Sequence, residues 1–201
     1  MRAIPVGLPQ ITPFIIFLSL IYLSFICRAN DEQDRLYGAI HWIGYTYHPG
    51  GGNSPEIYPL KLDDQGTNVV EVGLVGKLDY RFSSDFYLRS AVAAYKDCAF
   101  NNAGFFHLGF RGTFFKHASH SISGGLGPTL LFRRDWNRFP EYKGDEFFSD
   151  SVYRGWQYRF IWYGGEFDYS YQINSKLQFQ YSVIPGYPFV FTNTFGIRYR
   201  F

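Results

Sequence analysis

The sequence predicts an all-β protein, an eight-stranded antiparallel up-and-down transmembrane β-barrel that follows an N-terminal signal peptide. Long segments alternate between apolar and polar residues, which is the period of a strand and not of an amphipathic helix. Aromatic residues make up 21% of the 201 residues, yet the mean hydropathy is only −0.17. This combination is expected when lipid-facing and lumen-facing residues alternate and rings crowd the membrane interfaces.

An apolar run at residues 14–27 follows the basic residue Arg2. The run has the length of the hydrophobic region of a secretory signal and is short for a transmembrane helix. We therefore expect residues 1–29 to be a signal peptide, cleaved after Ala29, and residues 30–201 to form the barrel. The alternative is an uncleaved anchor helix.

Charge and cysteine content exclude several classes of protein. Lysine and arginine total 19 against 17 acidic residues, and loss of Arg2 and Arg28 with the signal peptide leaves 17 of each sign. The basic residues form no stripe, so nucleic acid is not a predicted partner. Cleavage also removes Cys27 and leaves Cys98 alone, which excludes an intrachain disulfide. No cofactor and no metal ion are predicted.

Residues 69–82 give the clearest strand pattern. Outward positions carry Val70, Val72, Leu74, Gly76, Leu78, Tyr80 and Phe82. Inward positions carry Val69, Glu71, Gly73, Val75, Lys77, Asp79 and Arg81. On this assignment Leu74→Arg is expected to destabilise the barrel more than Gly73→Ser, because only Leu74 faces lipid.

Eight such segments can be traced, at about residues 36–47, 69–82, 86–96, 104–115, 121–133, 156–171, 177–184 and 194–201. The face of the first is left open, and the sixth is expected to turn Ile161 and Tyr163 outward. A loop is expected at residues 185–188. Connections after the second, fourth and sixth segments are short, whereas residues 48–67 and 137–155 form long loops. Short turns at one end and long loops at the other are typical of outer-membrane barrels.

The inward-facing positions of these segments predict a polar lumen. The predicted polar network consists of Glu71, Lys77, Asp79, Arg81, His107, Arg111, Glu166, Asp168, Arg198 and Arg200, with Arg89, Gln178 and Gln180 beside them. Side chains can fill the interior of an eight-stranded barrel, so we expect these ions to pair and plug the lumen. A soluble lipocalin-like barrel with the reverse polarity is the alternative, because alternation alone fits both.

The terminal strand carries a more specific signal. Phe195, Ile197, Tyr199 and Phe201 share one face, and Thr194, Gly196, Arg198 and Arg200 share the other. A final strand that ends on an aromatic residue resembles the assembly signal of bacterial outer-membrane β-barrels. The resemblance implies a Gram-negative outer membrane, recognition by the barrel assembly machinery, and contact with outer-membrane lipid and lipopolysaccharide.

Two aromatic girdles are expected at the strand ends. The periplasmic girdle comprises Tyr80, Phe82, Phe86, Phe114, Phe115, Tyr169, Tyr171, Tyr199 and Phe201. The outer girdle comprises Tyr45, Tyr47, Trp136, Trp156 and Tyr158.

The predicted function is a structural or surface-interaction role in which loops 48–67 and 137–155 are presented outside the cell. The alternative is an enzyme that modifies the acyl chains of lipid A. His117-Ala118-Ser119 resembles the His-x-Ser of the lipid A 3-O-deacylase family, although no acidic residue lies between Ser119 and Asp135. His48 with Asp150-Ser151 resembles the loop residues of the palmitoyl-transfer family, and Pro128 would loosen the wall.

Overall fold

A closed antiparallel barrel emerges from the computed structural model, which describes residues 35–52, 54–144, 148, 152–186 and 190–201. Within these ranges the eight long strands are β1 (Leu36–Tyr47), β2 (Val72–Arg81), β3 (Phe86–Lys96), β4 (Asn102–His117), β5 (His120–Arg134), β6 (Trp156–Gln172), β7 (Leu177–Gly186) and β8 (Val190–Arg200). Two-residue strands lie at Asn68–Val69 and Val152–Tyr153, and a single 3₁₀ turn lies at Pro55–Ile57. The predicted signal peptide lies outside the described residues.

Each strand pairs with its neighbours in the chain, and β1 pairs with β8 to close the barrel. The closing ladder runs from Tyr37 opposite Arg200 to Tyr47 opposite Phe191. The up-and-down order of eight strands confirms the predicted fold class. Because the sheet closes on itself, the barrel has no terminal edge strand.

The two ends of the barrel differ in how the strands are joined. Residues 82–85, 118–119 and 173–176 form short turns at one end. The hydroxyl of Ser83 accepts the backbone N–H of Phe86 at 3.0 Å, and the side chain of Asn174 accepts that of Leu177 at 2.9 Å. These short polar side chains satisfy turn amides that a two-strand ladder leaves open. At the opposite end, residues 48–71 and 135–155 make the long connections.

The second predicted segment is interrupted, which corrects the expected continuous strand over residues 69–82. Val69 pairs with Thr46 of β1 in a two-residue strand, and β2 begins at Val72. Between them, the backbone N–H of Val70 bonds to the carbonyl of Leu60 in the long loop. The long loop, rather than β1, therefore accepts the backbone hydrogen bond of Val70 at this end of the strand.

A β-bulge in β6 corrects the expected orientation of Ile161. The ladder between β5 and β6 shifts register between Gly127–Gly164 and Thr129–Ile161, so Pro128 lies opposite two residues, Trp162 and Tyr163. The extra residue reverses the alternation, since side chains change face every residue along a strand. Ile161 consequently lines the interior, while Tyr163 does face outward, as expected.

One smaller expectation also changes. Pro185 and Gly186 belong to β7 rather than to a loop, and the remaining loop residues, 187–189, lie outside the described residues. Over the described ranges, no helix has the length and apolar character needed to cross a membrane.

Candidate functional site: the ionic lumen and its loop cap

The centre of the lumen near the short-turn end is an ion cluster built on Arg89. Its guanidinium forms a bidentate pair with Asp79, at 2.6 and 2.9 Å. These two residues lie directly opposite each other on β2 and β3. The Nη1 atom of Arg89 also donates to Glu166 at 2.9 Å and to Asp168 at 2.6 Å, across the lumen on β6. Arg89 therefore ties two walls of the barrel together.

Glu166 and Asp168 each receive further cations. Arg111 donates to Glu166 at 3.1 Å and to Asp168 at 2.7 Å, and its Nε donates to the Tyr87 hydroxyl at 3.2 Å. Lys77 pairs with Glu166 and donates to Ser182 at 2.8 Å. Strands β2, β3, β4, β6 and β7 all contribute to this cluster, which is buried throughout. Such ions are tolerable away from water only because each is paired.

Two more arginines lie toward the short turns. Arg198 of β8 approaches Asp79 at 2.6 Å, and its guanidinium lies 4.2 Å from the centre of the Tyr37 ring. Arg81 lies 5.0 Å from the same ring and donates to the carbonyl of Ser84 at 3.1 Å. Ring faces attract these cations, and this stacking accommodates the surplus positive charge that three carboxylates leave unpaired.

A layer of apolar side chains fills the lumen above the ion cluster. Ile43, Val75, Ala91, Ala93 and Phe105 form its buried core, and Tyr95, Leu131 and Ile184 pack against them. The interior is thus filled by ions at one level and hydrocarbon at the next. A small cavity remains in the interior, with Val75, Phe105 and Leu131 among its lining residues.

A folded cap closes the long-loop end. Trp136 is buried there, 2% exposed, and its indole Nε1 donates to Asp97 at 2.8 Å. Tyr58, from the first long loop, packs edge-on against Trp136 with ring centres 6.0 Å apart. Arg133 at the end of β5 lies 3.9 Å from the centre of the Trp136 ring. Trp136 is therefore a cap residue, and its prediction as part of the outer girdle is wrong.

The outer surface of the barrel is apolar and aromatic. Trp162 is 73% exposed, Ile40 65% and Leu126 60%, and they project from β6, β1 and β5. This polarity is the reverse of a soluble barrel and matches a closed antiparallel barrel whose outside meets hydrocarbon. The chain has the fold and the surface polarity of an outer-membrane β-barrel. In the orientation usual for this class, the short turns of the barrel face the periplasm and the cap faces outward.

Comparison with known proteins gives likeness of fold without a function. No protein-family model matches the sequence, and no curated protein matches it. Among solved structures, the N-terminal barrel domain of Pseudomonas aeruginosa OprF is 12% identical, with 82% of this chain and 97% of that chain covered and a TM-score of 0.47. Yersinia pestis Ail, in complex with the heparin analogue sucrose octasulfate, is 15% identical over 83% and 98%, with a TM-score of 0.48. The outer membrane protein OprG of P. aeruginosa is 15% identical over 84% and 98%, with a TM-score of 0.43.

The residues predicted for the polar network occupy four levels of the barrel. Lys77, Asp79, Arg111, Glu166, Asp168 and Arg198 meet in the ion cluster with Arg89. Arg81 and Arg200 are half-buried at the short-turn end. His107 lies above the cluster, where its Nδ1 shares a hydrogen bond with the Thr129 hydroxyl at 2.7 Å. Glu71 lies apart, under the cap, and accepts the Thr46 hydroxyl at 2.6 Å.

Sequence reasoning missed the lumen residues of β1 and the aromatic residues that stack on the arginines of the ion cluster, Tyr37 and Tyr87. His41 is fully buried and shares hydrogen bonds with Thr194 at 3.0 Å and Gln180 at 3.1 Å. Tyr37 and Tyr87 also face inward. The rings of Tyr37 and Tyr87 could have been placed from alternation, since Tyr87 is two residues from Arg89 and Tyr37 is four residues from His41.

The candidate catalytic residues are not assembled into a site in the described structure. His117 ends β4 and Ser119 lies in the β4–β5 turn at the short-turn end, and within the described ranges neither residue forms an ion pair with an acidic side chain. His48 is buried beside Tyr58, and burial lowers the pKa of its imidazole to about 4. Asp150 and Ser151 lie outside the described residues. The described part of the chain also holds no cluster of three metal-ligating side chains.

Proposed function

We propose that this barrel is a sealed structural element of the outer membrane, and that its cap and loops 48–67 and 137–155 present a surface for interaction outside the cell. The observation that carries the proposal is the ion cluster beneath an apolar core and a packed cap. Side chains that fill an eight-stranded barrel leave little room for a solute path. The described residues around His48 and His117 lack a paired nucleophile and base, so we do not propose the lipid A enzyme.

Part of the cap is suited to contact a partner. Leu60 and Leu62 are exposed, Leu62 by 63%, and they flank the exposed Lys61 in the first long loop. Apolar side chains that remain exposed beside a cation on a folded loop are typical of interaction surfaces. Asp63 holds this loop in shape by accepting the backbone N–H groups of Thr67 and Asn68, both at 2.8 Å.

We also propose partners for the outer wall and the last strand. Outward rings meet acyl chains of outer-membrane lipid. Exposed Arg134, stacked 4.6 Å from the centre of the Trp156 ring, and Arg154 beside Tyr153 lie at the outer rim, where they suit phosphate groups of lipopolysaccharide. Phe195, Ile197, Tyr199 and Phe201 are all exposed on one face, as an assembly signal recognised by the barrel assembly machinery requires.

Cell-surface labelling tests the display of the cap. An amine reagent that cannot cross the outer membrane is expected to modify Lys61 and Lys143 on intact cells, because both are exposed at the cap end. Lys116 and Lys176, exposed at the short-turn end, are expected to react only after the membrane is permeabilised. Peptide mass spectrometry reads out both pairs, and labelling of Lys116 and Lys176 on intact cells would reverse the proposed orientation.

Planar-bilayer recording tests the sealed lumen. The purified barrel is expected to give no discrete conductance steps, because the ions of the lumen bind one another instead of lining a water-filled path. A heat-modifiability gel on the same sample confirms that the barrel is folded. Regular single-channel steps from folded protein would contradict a purely structural barrel.

A further inference from the structure

The wall of the barrel has a weak seam between β6 and β7. The pairing of these strands runs from Gln172 opposite Gln178 to Phe167 opposite Val183. Beyond that point β6 continues for eleven more residues to Trp156, and β7 continues from Ile184 to Gly186, paired only with β8. No β6–β7 pair is formed beyond Phe167 in the described part of these strands. The seam lies in the half of the wall nearer the cap.

The other edge of the same stretch is also loosely held. Here β6 carries the bulge at Trp162 and Tyr163 opposite Pro128, and proline has no N–H to give to a ladder. The segment from Ile161 to Glu166 is therefore tied less firmly than any neighbouring stretch of β6. Its side chains can move apart from Ile184 without breaking a strand hydrogen bond.

An internal cavity of about 40 Å³ lies directly behind this stretch. Both edges of the seam line it, through Ile161 on β6 and Ile184 on β7. The rest of its apolar wall is formed by Val75, Ala91, Phe105 and Leu131. Lys77, His107, Thr129 and Glu166 form its polar edge, and the Lys77–Glu166 pair there belongs to the top of the ion cluster below.

The chemistry of the lining favours hydrocarbon over water or a solute. Cavities lined by aliphatic and aromatic side chains stay dry and take up apolar molecules, since a water there finds too few polar partners. Phe160, Trp162 and Phe167 project from β6 on the outside of the same stretch, all exposed. These rings face the acyl chains of the outer leaflet, which is the only abundant apolar material beside the seam.

We propose that the β6–β7 seam admits the end of a lipid acyl chain from the outer leaflet into this cavity. The cavity is large enough for the last carbons of a chain and too small for a whole lipid. The headgroup stays at the outer interface while the tail passes between Ile161 and Ile184. This inference requires a bilayer around the barrel and is independent of what the cap binds.

Photo-crosslinking in nanodiscs tests the proposal. The probe is a phosphatidylcholine whose acyl chain ends in a diazirine, and peptide mass spectrometry maps the adducts after irradiation. Each inward residue has an outward neighbour as its internal control: Phe105 beside Phe106, Leu131 beside Leu130, and Ile184 beside Val183. Adducts are expected on Phe105, Leu131 or Ile184 as well as on outward residues. Adducts confined to outward residues of the folded wild-type barrel would overturn the proposal.

A variant that fills the cavity and a variant of the next residue, which faces outward, form a matched pair. Ala91 faces the cavity, whereas Val92, the next residue, is 48% exposed to lipid. Ala91→Leu is expected to abolish the inward adducts and leave the outward ones, and Val92→Leu is expected to change neither. Undiminished inward adducts in folded Ala91→Leu protein would equally refute the site. If Ala91→Leu does not fold, as judged on a heat-modifiability gel, the wild-type adduct map decides alone.

Discussion

Arg89→Ala is expected to lower the free energy of unfolding by about 3–5 kcal/mol, the cost of removing one partner from a buried ion cluster. Arg89 is fully buried and contacts Asp79, Glu166 and Asp168. Its loss leaves three carboxylates with fewer cations in a space that water does not readily reach. Denaturant unfolding in lipid vesicles, followed by tryptophan fluorescence, measures the change.

Lys116→Ala is the matched control for this variant. Lys116 pairs with Asp85 at 2.6 Å in the periplasmic turns, but the two side chains are 46% and 51% exposed. Water and salt screen such a pair, so its loss is expected to change stability little. Equal losses for Arg89→Ala and Lys116→Ala would mean that the interior cluster is hydrated, contrary to the packed arrangement described above.

Leu74→Arg is expected to cost about 2–4 kcal/mol, the range for a cation placed on the lipid face of a transmembrane barrel. Leu74 is 46% exposed on the outer face of β2, opposite Trp42 of β1. A guanidinium there must be pulled from water into hydrocarbon. Unfolding in vesicles of defined lipid measures the cost.

An arginine placed at a different depth in the membrane provides the control for Leu74→Arg. Phe114 is 63% exposed near the periplasmic end of β4, where an arginine can reach the headgroups, so Phe114→Arg is expected to cost only about 0–1 kcal/mol. The expectation that Gly73→Ser costs less than Leu74→Arg considered polarity alone and left out a steric clash. A Cβ atom at Gly73 would lie 2.2 Å from the Cβ of Tyr95 on the neighbouring strand, so a serine clashes there whatever its polarity.

Strand positions were predictable wherever the alternation is unbroken. In β2 the charges of Lys77 and Asp79 identify the inward face, and β3 and β4 follow in the same way. In β1 the pattern is ambiguous because a bulge between Ile43 and Tyr45 shifts the register. The bulge in β6 had the same effect on Ile161. A bulge reverses every side chain beyond it, and no local sequence signal fixed its position here.

The ion cluster was predictable in composition but not in pairing. Asp79 and Arg89 face each other across a short turn, so a two-strand register is enough to join them. The contacts of Arg89 with Glu166 and Asp168 cross the lumen and depend on barrel closure and shear, which a sequence does not reveal. The burial of Trp136 in the cap likewise depends on how two distant loops, one carrying Tyr58, pack together.

The membrane assignment requires apolar side chains of the outer wall to face lipid, and quenching of tryptophan fluorescence by brominated phospholipids tests this most directly. The sequence holds four tryptophans, so single-tryptophan proteins can retain either Trp42, which is 56% exposed on the wall, or Trp136, which is buried in the cap. In vesicles, bromine within the acyl chains is expected to quench Trp42 strongly and Trp136 hardly at all. If Trp42 is instead insensitive to brominated lipid and quenched by aqueous iodide, the outer wall faces water and the membrane assignment is wrong.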